Sequence, residues 1–228
     1  MTDLMVVYGS ETRLLAPLYD RPNTFFIKIY NQSRPAEKGN VAAVQSVSEC
    51  VQQIAMARST KEINRIIFIG AAFKTQRSLM ISMKPEETKR ILSTNIENYV
   101  EYTSAVLPEM LKVRSGVFIY LSSFRSTVTG KGAALYSASK AFGEVYFSCL
   151  GKENGKAGVR SSSIRMGYFD GRMTEALSDA QVKGINKHAG LSRLGSADEL
   201  CNCINFVISN PYTNGGVIDL AGGINHEF

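Results

Sequence analysis

Six short runs rich in β-branched and aromatic residues punctuate the chain: LMVVYG (4–9), TFFIKIYN (24–31), RIIFIGA (65–71), GVFIYLSS (116–123), GVRSSSIRMG (158–167) and GGVIDLAGG (215–223). A strand with one face in water alternates apolar and polar residues, whereas a run that stays apolar suits a strand covered on both faces. Longer stretches with helical spacing separate the runs. In 41–57, Val44, Val47, Val51 and Ile54 recur every three or four residues. Residues 84–112 are long enough for one extended helix, with Glu86 and Glu87 near its start and Lys112 near its end, where the macrodipole favours those charges. Another helix is expected over 134–151, and 196–209 opens on Ser196-x-x-Glu199, a capping box. Strand and helix in alternation predict an α/β fold: a doubly wound, mostly parallel sheet with helices on both faces. Ligands of such sheets gather beyond the carboxyl ends of the strands, at the switch point. Gly9 and Ser10, Gly70 to Ala72, and Ser122 and Ser123 close three of the runs, so all are expected along one edge.

At 228 residues the chain fits a single domain spanning 1–228, since one core grows to roughly 250 residues before chains divide. The 44% hydrophobic and 20% charged fractions are those of a globular protein and exclude a disordered chain. No apolar run reaches the roughly 20 residues that span a bilayer, and the opening MTDLMVVYGS carries an aspartate where a signal peptide is basic, so no membrane partner and a cytoplasmic location are expected. Cys50, Cys149, Cys201 and Cys203 form no CxxC pair, and His188 and His226 stand far from them, which predicts buried free thiols and no metal site. The net charge of +6 is carried by scattered Lys and Arg without a basic run, a pattern that argues against nucleic acid and suits attraction of a phosphorylated ligand.

The stretch SSFRSTVTGKGAALYSASK (122–140) carries the chemistry. Tyr136 and Lys140, four apart, emerge from one helical face. A phenol titrates near pH ~10, and a neighbouring ammonium favours phenolate, which pulls that value toward working pH. Ser123, at a strand end thirteen positions earlier, is placed to donate a hydrogen bond to a carbonyl oxygen as charge develops on it.

Ser123 with Tyr136-Ser-Ala-Ser-Lys140 resembles the short-chain dehydrogenase/reductase family, and two further blocks strengthen the likeness. TNIENYVEYTSAVLPEML (94–111) is similar to the family's long-helix motif, and RLGSADELCNCINFVISNPYTNGGVIDLAGG (193–223) to its carboxyl-terminal helix and last strand. The resemblance implies a Rossmann-like fold and catalytic roles for Asn95, Ser123, Tyr136 and Lys140, with Asn95 positioning a relay water. It implies dimers or tetramers built on the helices at 84–112 and 134–151, where Phe142, Tyr146 and Phe147 belong to the core or to an interface.

The amino-terminal third departs from the family pattern. The Gly-rich pyrophosphate turn is replaced by YGSETRLLAPLYDRP, in which Gly9 keeps the first position and Pro17 and Pro22 limit the helix to a turn or two. Cofactor contacts are expected from Gly9, Ser10, Thr12, Arg13, Asn31, Arg34, Gly70, Ala71, Ala72, Tyr136, Lys140 and Gly167. The second run ends in IYNQSR without an acidic residue, and Arg13 and Arg34 suit a 2′-phosphate, which tilts the cofactor toward NADP(H) over NAD(H). The short interval from Arg34 to Val41 leaves little room for a third strand, so the adenine side is expected to be pared down. The family's Asn-Asn-Ala-Gly turn reads Gly70-Ala71-Ala72-Phe73, and its Pro-Gly turn reads Met166-Gly167. Residues 170–190, polar and rich in small residues, are expected to form a mobile substrate-covering lid in which Arg172, Lys183, Lys187 and His188 suit an anionic ligand. The leading expectation is an NADP(H)-dependent oxidoreductase acting on a small-molecule carbonyl or secondary alcohol. The alternatives are a non-catalytic binding or scaffold subunit with weakened nucleotide affinity, and an enzyme of the same fold doing non-redox chemistry.

Overall fold

The structure is a computed structural model that describes residues 2–9, 12–30, 40–76, 78–171, 174 and 177–224. Ser10, Asn31, Arg34, Arg172 and His226 therefore lie outside the described residues. Seven strands form one sheet: β1 (Thr2–Tyr8), β2 (Thr24–Ile29), β3 (Val41–Val44), β4 (Ile63–Gly70), β5 (Gly116–Ser123), β6 (Val159–Met166) and β7 (Val217–Leu220). Their order is β3-β2-β1-β4-β5-β6-β7, and every pairing is parallel. The chain winds outward from β1 to β3, returns to β4 beside β1, and winds the other way, so the switch point lies between β1 and β4.

The continuous apolar runs are explained by two buried layers. Leu4, Val6, Tyr8, Ile27, Phe68, Phe118 and Tyr120 face one layer, whereas Met5, Val7, Ile67, Ile69, Ile119 and Leu121 face the other. Each such side chain contributes roughly 2 kcal/mol on burial, and alternate residues serve opposite faces. The first layer is closed by α1 (Val47–Thr60), α3 (Asn98–Val113) and α4 (Ala134–Asn154), and the second by a 3₁₀ helix (Arg13–Asp20) packed on α6 (Ala197–Ser209).

Three local expectations change. Residues 41–44 are not the start of a helix: they form β3, pairing Phe26 to Ile29 with Val41 to Val44, so the third strand of the adenine side is present. The helix begins at Val47 because the Ser46 side chain accepts from the Glu49 amide and the Glu49 carboxylate accepts from the Gln45 amide. The single helix expected over 84–112 is α2 (Pro85–Leu92) and α3 joined by a π turn (Ser93–Glu97) that carries Asn95. The 170–190 segment contains α5 (Asp179–His188), closed by a Ser178–Gln181 capping box. Both prolines act as expected, since the first crossover is the short 3₁₀ helix with Pro17 inside and Pro22 beyond its end. Among the thiols, Cys50 and Cys201 are buried, Cys203 is half-buried, and Cys149 stands exposed on α4. No helix among the described residues is long and apolar enough to cross a membrane.

Candidate active site

β5 ends at Ser123, whose hydroxyl accepts from the Arg125 amide and turns the chain into a 3₁₀ turn, Phe124–Ser126. The two adjacent serines then separate in role. Ser122 donates to Glu144 at 2.6 Å, deep in the structure, while the Ser123 hydroxyl meets the Tyr136 phenol. Burial raises the pKa of that phenol above its ordinary value, against opposing effects of the Ser123 hydrogen bond and the Arg125 guanidinium.

Tyr136 and Lys140 share a face of α4, as their spacing requires, but the lysine is not a solvated cation. It is 2% exposed, its Nζ donates to the Leu121 carbonyl at 2.8 Å, and the Phe73 and Tyr120 rings lie 5.2 and 4.9 Å from it. Burial lowers its pKa to about 7, with the Glu144 carboxylate acting in the opposite sense. The effects that oppose the rise at Tyr136 therefore come from the β5 end, the Ser123 hydrogen bond and the Arg125 charge, and not from Lys140 as the spacing alone suggests.

Phe73 fills the position where the family pattern has glycine. Its ring meets Tyr136 edge-on, 6.4 Å between centroids, and covers the lysine. Asn95 is 1% exposed: its Oδ1 accepts from the Lys74 amide at 2.7 Å, and its Nδ2 donates to the Lys74 carbonyl and to the Ser139 hydroxyl at 3.0 and 2.9 Å. Both Nδ2 hydrogens are thus committed to protein partners, and the side chain ties the β4 loop to α4. The widened π turn supplies the geometry for that reach. Gln76 adds a second tie, its Oε1 accepting from the Leu135 amide at 2.7 Å at the uncapped start of α4.

Behind these residues Glu144, one turn beyond Lys140, binds three elements. It accepts from Ser122, from Ser126 and from both Nε and Nη2 of Arg165, whose Nη1 also reaches Asp219. Burial alone would raise the Glu144 carboxyl, but the hydrogen bonds from Arg165, Ser122 and Ser126 hold it below its ordinary value. The i+4 spacing from Lys140 was the sequence signal for Glu144. Arg125 and Phe73 had no such signal.

The expected cofactor positions that lie among the described residues line the same edge. Gly9 has φ +87°, and a Cβ there would lie 2.3 Å from the Ala72 amide nitrogen, so the β1 turn nests against the β4 turn, where Ala71 and Ala72 both donate to the Tyr8 carbonyl. At Gly70 the intruder would be the Tyr99 ring and at Gly167 the Ala221 backbone, so close packing within the protein already requires glycine at both. Thr12 caps the 3₁₀ helix through its hydroxyl, and Arg13 is exposed at that helix's start. Small residues thus close β1 and β4 at the switch point, and the first helix begins just beyond β1, the place in a doubly wound sheet where a dinucleotide pyrophosphate would be held.

The model of the short chain dehydrogenase family matches residues 7–182. The chain belongs to the short-chain dehydrogenase family. Among curated members it is 34% identical over 161 residues to 3-oxoacyl-(acyl-carrier-protein) reductase FabG of Escherichia coli (strain K12), an alignment covering 69% of this chain and 66% of that relative. The FabG of Haemophilus influenzae is 30% identical over 188 residues, 81% of this chain and 76% of the relative. The chain thus spans slightly less than two thirds of the length of the E. coli relative. Solved structures agree on the fold: a putative gluconate dehydrogenase from Agrobacterium tumefaciens (TM-score 0.85, 18% identity, 99% of this chain and 96% of that one) and ElxO with NADP bound (TM-score 0.82, 17% identity, 98% and 99%).

Proposed function

We propose that this chain is an NADP(H)-dependent oxidoreductase of the carbonyl reductase or secondary alcohol dehydrogenase type. The observation that carries the reading is the meeting of the Ser123 hydroxyl and the Tyr136 phenol at the carboxyl edge of β5, with Lys140 buried one helical turn away. When bound, the nicotinamide supplies or accepts the hydride. The chain's own residues manage the oxygen. Ser123 orients and polarises the substrate carbonyl, and Tyr136 gives its phenolic proton to the oxygen as negative charge grows there. With its pKa raised by burial the phenol is protonated at neutral pH, the state a proton donor to the carbonyl oxygen needs. Its phenolate is stabilised by Ser123 and Arg125 until a proton returns. Lys140, with a pKa of about 7, exchanges protons near neutrality and would hold the nicotinamide ribose, and Asn95 fixes the backbone along which a relay water sits.

NADP(H) over NAD(H) is supported by the exposed Arg13 at the start of the first helix and by the cofactor named for the structural neighbour ElxO. Gly9, Ser10, Thr12, Asn31, Arg34, Gly70, Ala71, Ala72 and Gly167 would complete the cofactor's cradle. A homodimer or homotetramer is supported by exposed Val100 on α3 and Val145 on α4, beside the half-buried stacked pair Phe142 and Tyr146; light scattering reads the assembly, and a monomer refutes it.

Consumption of NADPH with a panel of ketones and oxo acids tests the activity, and Tyr136→Phe is expected to lower turnover by at least about 100-fold. Unchanged turnover in that variant overturns the assignment of the donor. The Phe73 ring over Lys140 favours a second reading, a binding or scaffold subunit. Calorimetric titration with NADPH and NADH separates the two, since binding of neither supports the scaffold.

A further inference from the structure

Six arginines among the described residues are half-buried: Arg21, Arg58, Arg65, Arg125, Arg160 and Arg165. Burying a guanidinium costs free energy unless its N–H groups are paired, and five of the six are held. Arg21 and Arg65 meet Asp3, Arg58 meets Glu109, Arg165 meets Glu144 and Asp219, and Arg160 donates to the Thr213, Val207 and Ile208 carbonyls. The guanidinium of Arg125 has no such partner among the described residues.

Its position explains what the charge is for. The Arg125 guanidinium lies 5.0 Å over the Phe124 ring, itself 5.1 Å from the Tyr168 ring, so an aromatic wall flanks it. Gly130 also borders it, where a Cβ would stand 2.7 Å from Nη1, so the glycine leaves room for the fork. Its backbone amide donates to Ser123 Oγ, which fixes the residue beside that hydroxyl, and its charge is felt at the Tyr136 phenol. A planar fork of donors matches a carboxylate in bidentate fashion.

We propose that the substrate is an oxo acid with a free carboxylate close to the reacting carbonyl, that Arg125 receives this carboxylate, and that the hydrocarbon part lies against Phe124 and Tyr168. The inference rests on the proposed reductase activity and narrows its substrate to acids, in contrast to neutral ketones, esters and thioesters.

The test compares 3-oxohexanoate with its methyl ester in the presence of NADPH, using wild type, Arg125→Lys and Arg125→Leu. Wild type is expected to prefer the acid by at least about 10-fold in kcat/KM, and Arg125→Leu to lose on the order of 100-fold on the acid beyond any loss on the ester. Arg125→Lys, which keeps the charge without the fork, should fall between. Equal losses on acid and ester would reduce Arg125 to an influence on Tyr136 and overturn the proposal, as would a wild type indifferent to the carboxylate. A readout independent of turnover is the rise in Tm with hexanoate, expected in wild type and absent in Arg125→Leu. If no ketone, ester or acid is reduced but hexanoate still stabilises wild type alone, the carboxylate site stands and the reductase reading fails. If hexanoate stabilises neither protein or both equally, the site is refuted.

Discussion

Lys140 is a lysine that the fold holds at a cost, and removing it should stabilise the protein at neutral pH. The ammonium is 2% exposed, so solvent does not screen it, and its pKa falls from an ordinary 10.5 to about 7. Between these values the unfolded chain holds a proton that the folded one has released, so stability rises with pH across that window. The sign follows from the depressed value of a basic group. Below the folded pKa the full penalty of the buried charge applies, and above 10.5 it vanishes. At ~1.4 kcal/mol per pH unit, the penalty is about 4 kcal/mol near pH ~7 and about 2 kcal/mol near pH ~9.

Lys140→Met keeps the aliphatic stem beneath Phe73 and Tyr120 and abolishes the titration. The variant also loses the bond to the Leu121 carbonyl, a cost of about 1 kcal/mol that does not depend on pH across this range. Urea unfolding of the cofactor-free protein in steps from pH ~6.5 to ~10 should show Lys140→Met more stable than wild type by about 4 kcal/mol at the acidic end, with the lines converging and crossing near the alkaline end. A difference that stays flat across the series would mean that Lys140 titrates as a solvated lysine, and the packing of Phe73 and Tyr120 around it would be wrong.

The same unfolding series reads three further substitutions. Asn95→Ala strips Lys74 and Ser139 of buried partners and should cost about 3 kcal/mol, with accelerated hydrogen exchange at the Lys74 amide; protection equal to wild type would contradict the tie between the β4 loop and α4. Glu144→Gln leaves Asp219 as the one carboxylate on Arg165 among the described residues and should cost about 3 kcal/mol at neutral pH. Because the Glu144 carboxyl is held low, its stabilisation is present above the ordinary value of 4.5 and declines as pH falls through the lower folded value, so wild type and variant should converge on acidification. Phe73→Ala admits water to the Lys140 ammonium and should flatten the alkaline rise in stability by at least about 1 kcal/mol; an unchanged slope would show that the ring does not desolvate the amine.

The sheet was legible because it rests on local patterns that burial enforces. A run such as MVVY must alternate between two apolar layers, and the turn residues after it must lie at the carboxyl edge, so the order of runs carries much of the topology. The short strand at Val41–Val44 was not legible, since its valine spacing fits a helix as well as a strand and only pairing with β2 decides. The positions of Ser123, Tyr136 and Lys140 followed from spacing, but their electrostatics did not. Whether an ammonium one turn from a phenol makes it acidic depends on whether that ammonium is charged, and this is set by Phe73 and Tyr120, which lie 67 and 20 positions away in the chain. The same holds for Arg125. The sequence shows an arginine in a polar loop, and only the fold shows that, among the described residues, the other half-buried arginines have polar partners while this guanidinium lies over the Phe124 ring without one. A motif therefore locates the serine, phenol and ammonium, while the residues that set their electrostatics are brought to them by burial and are spread across the chain.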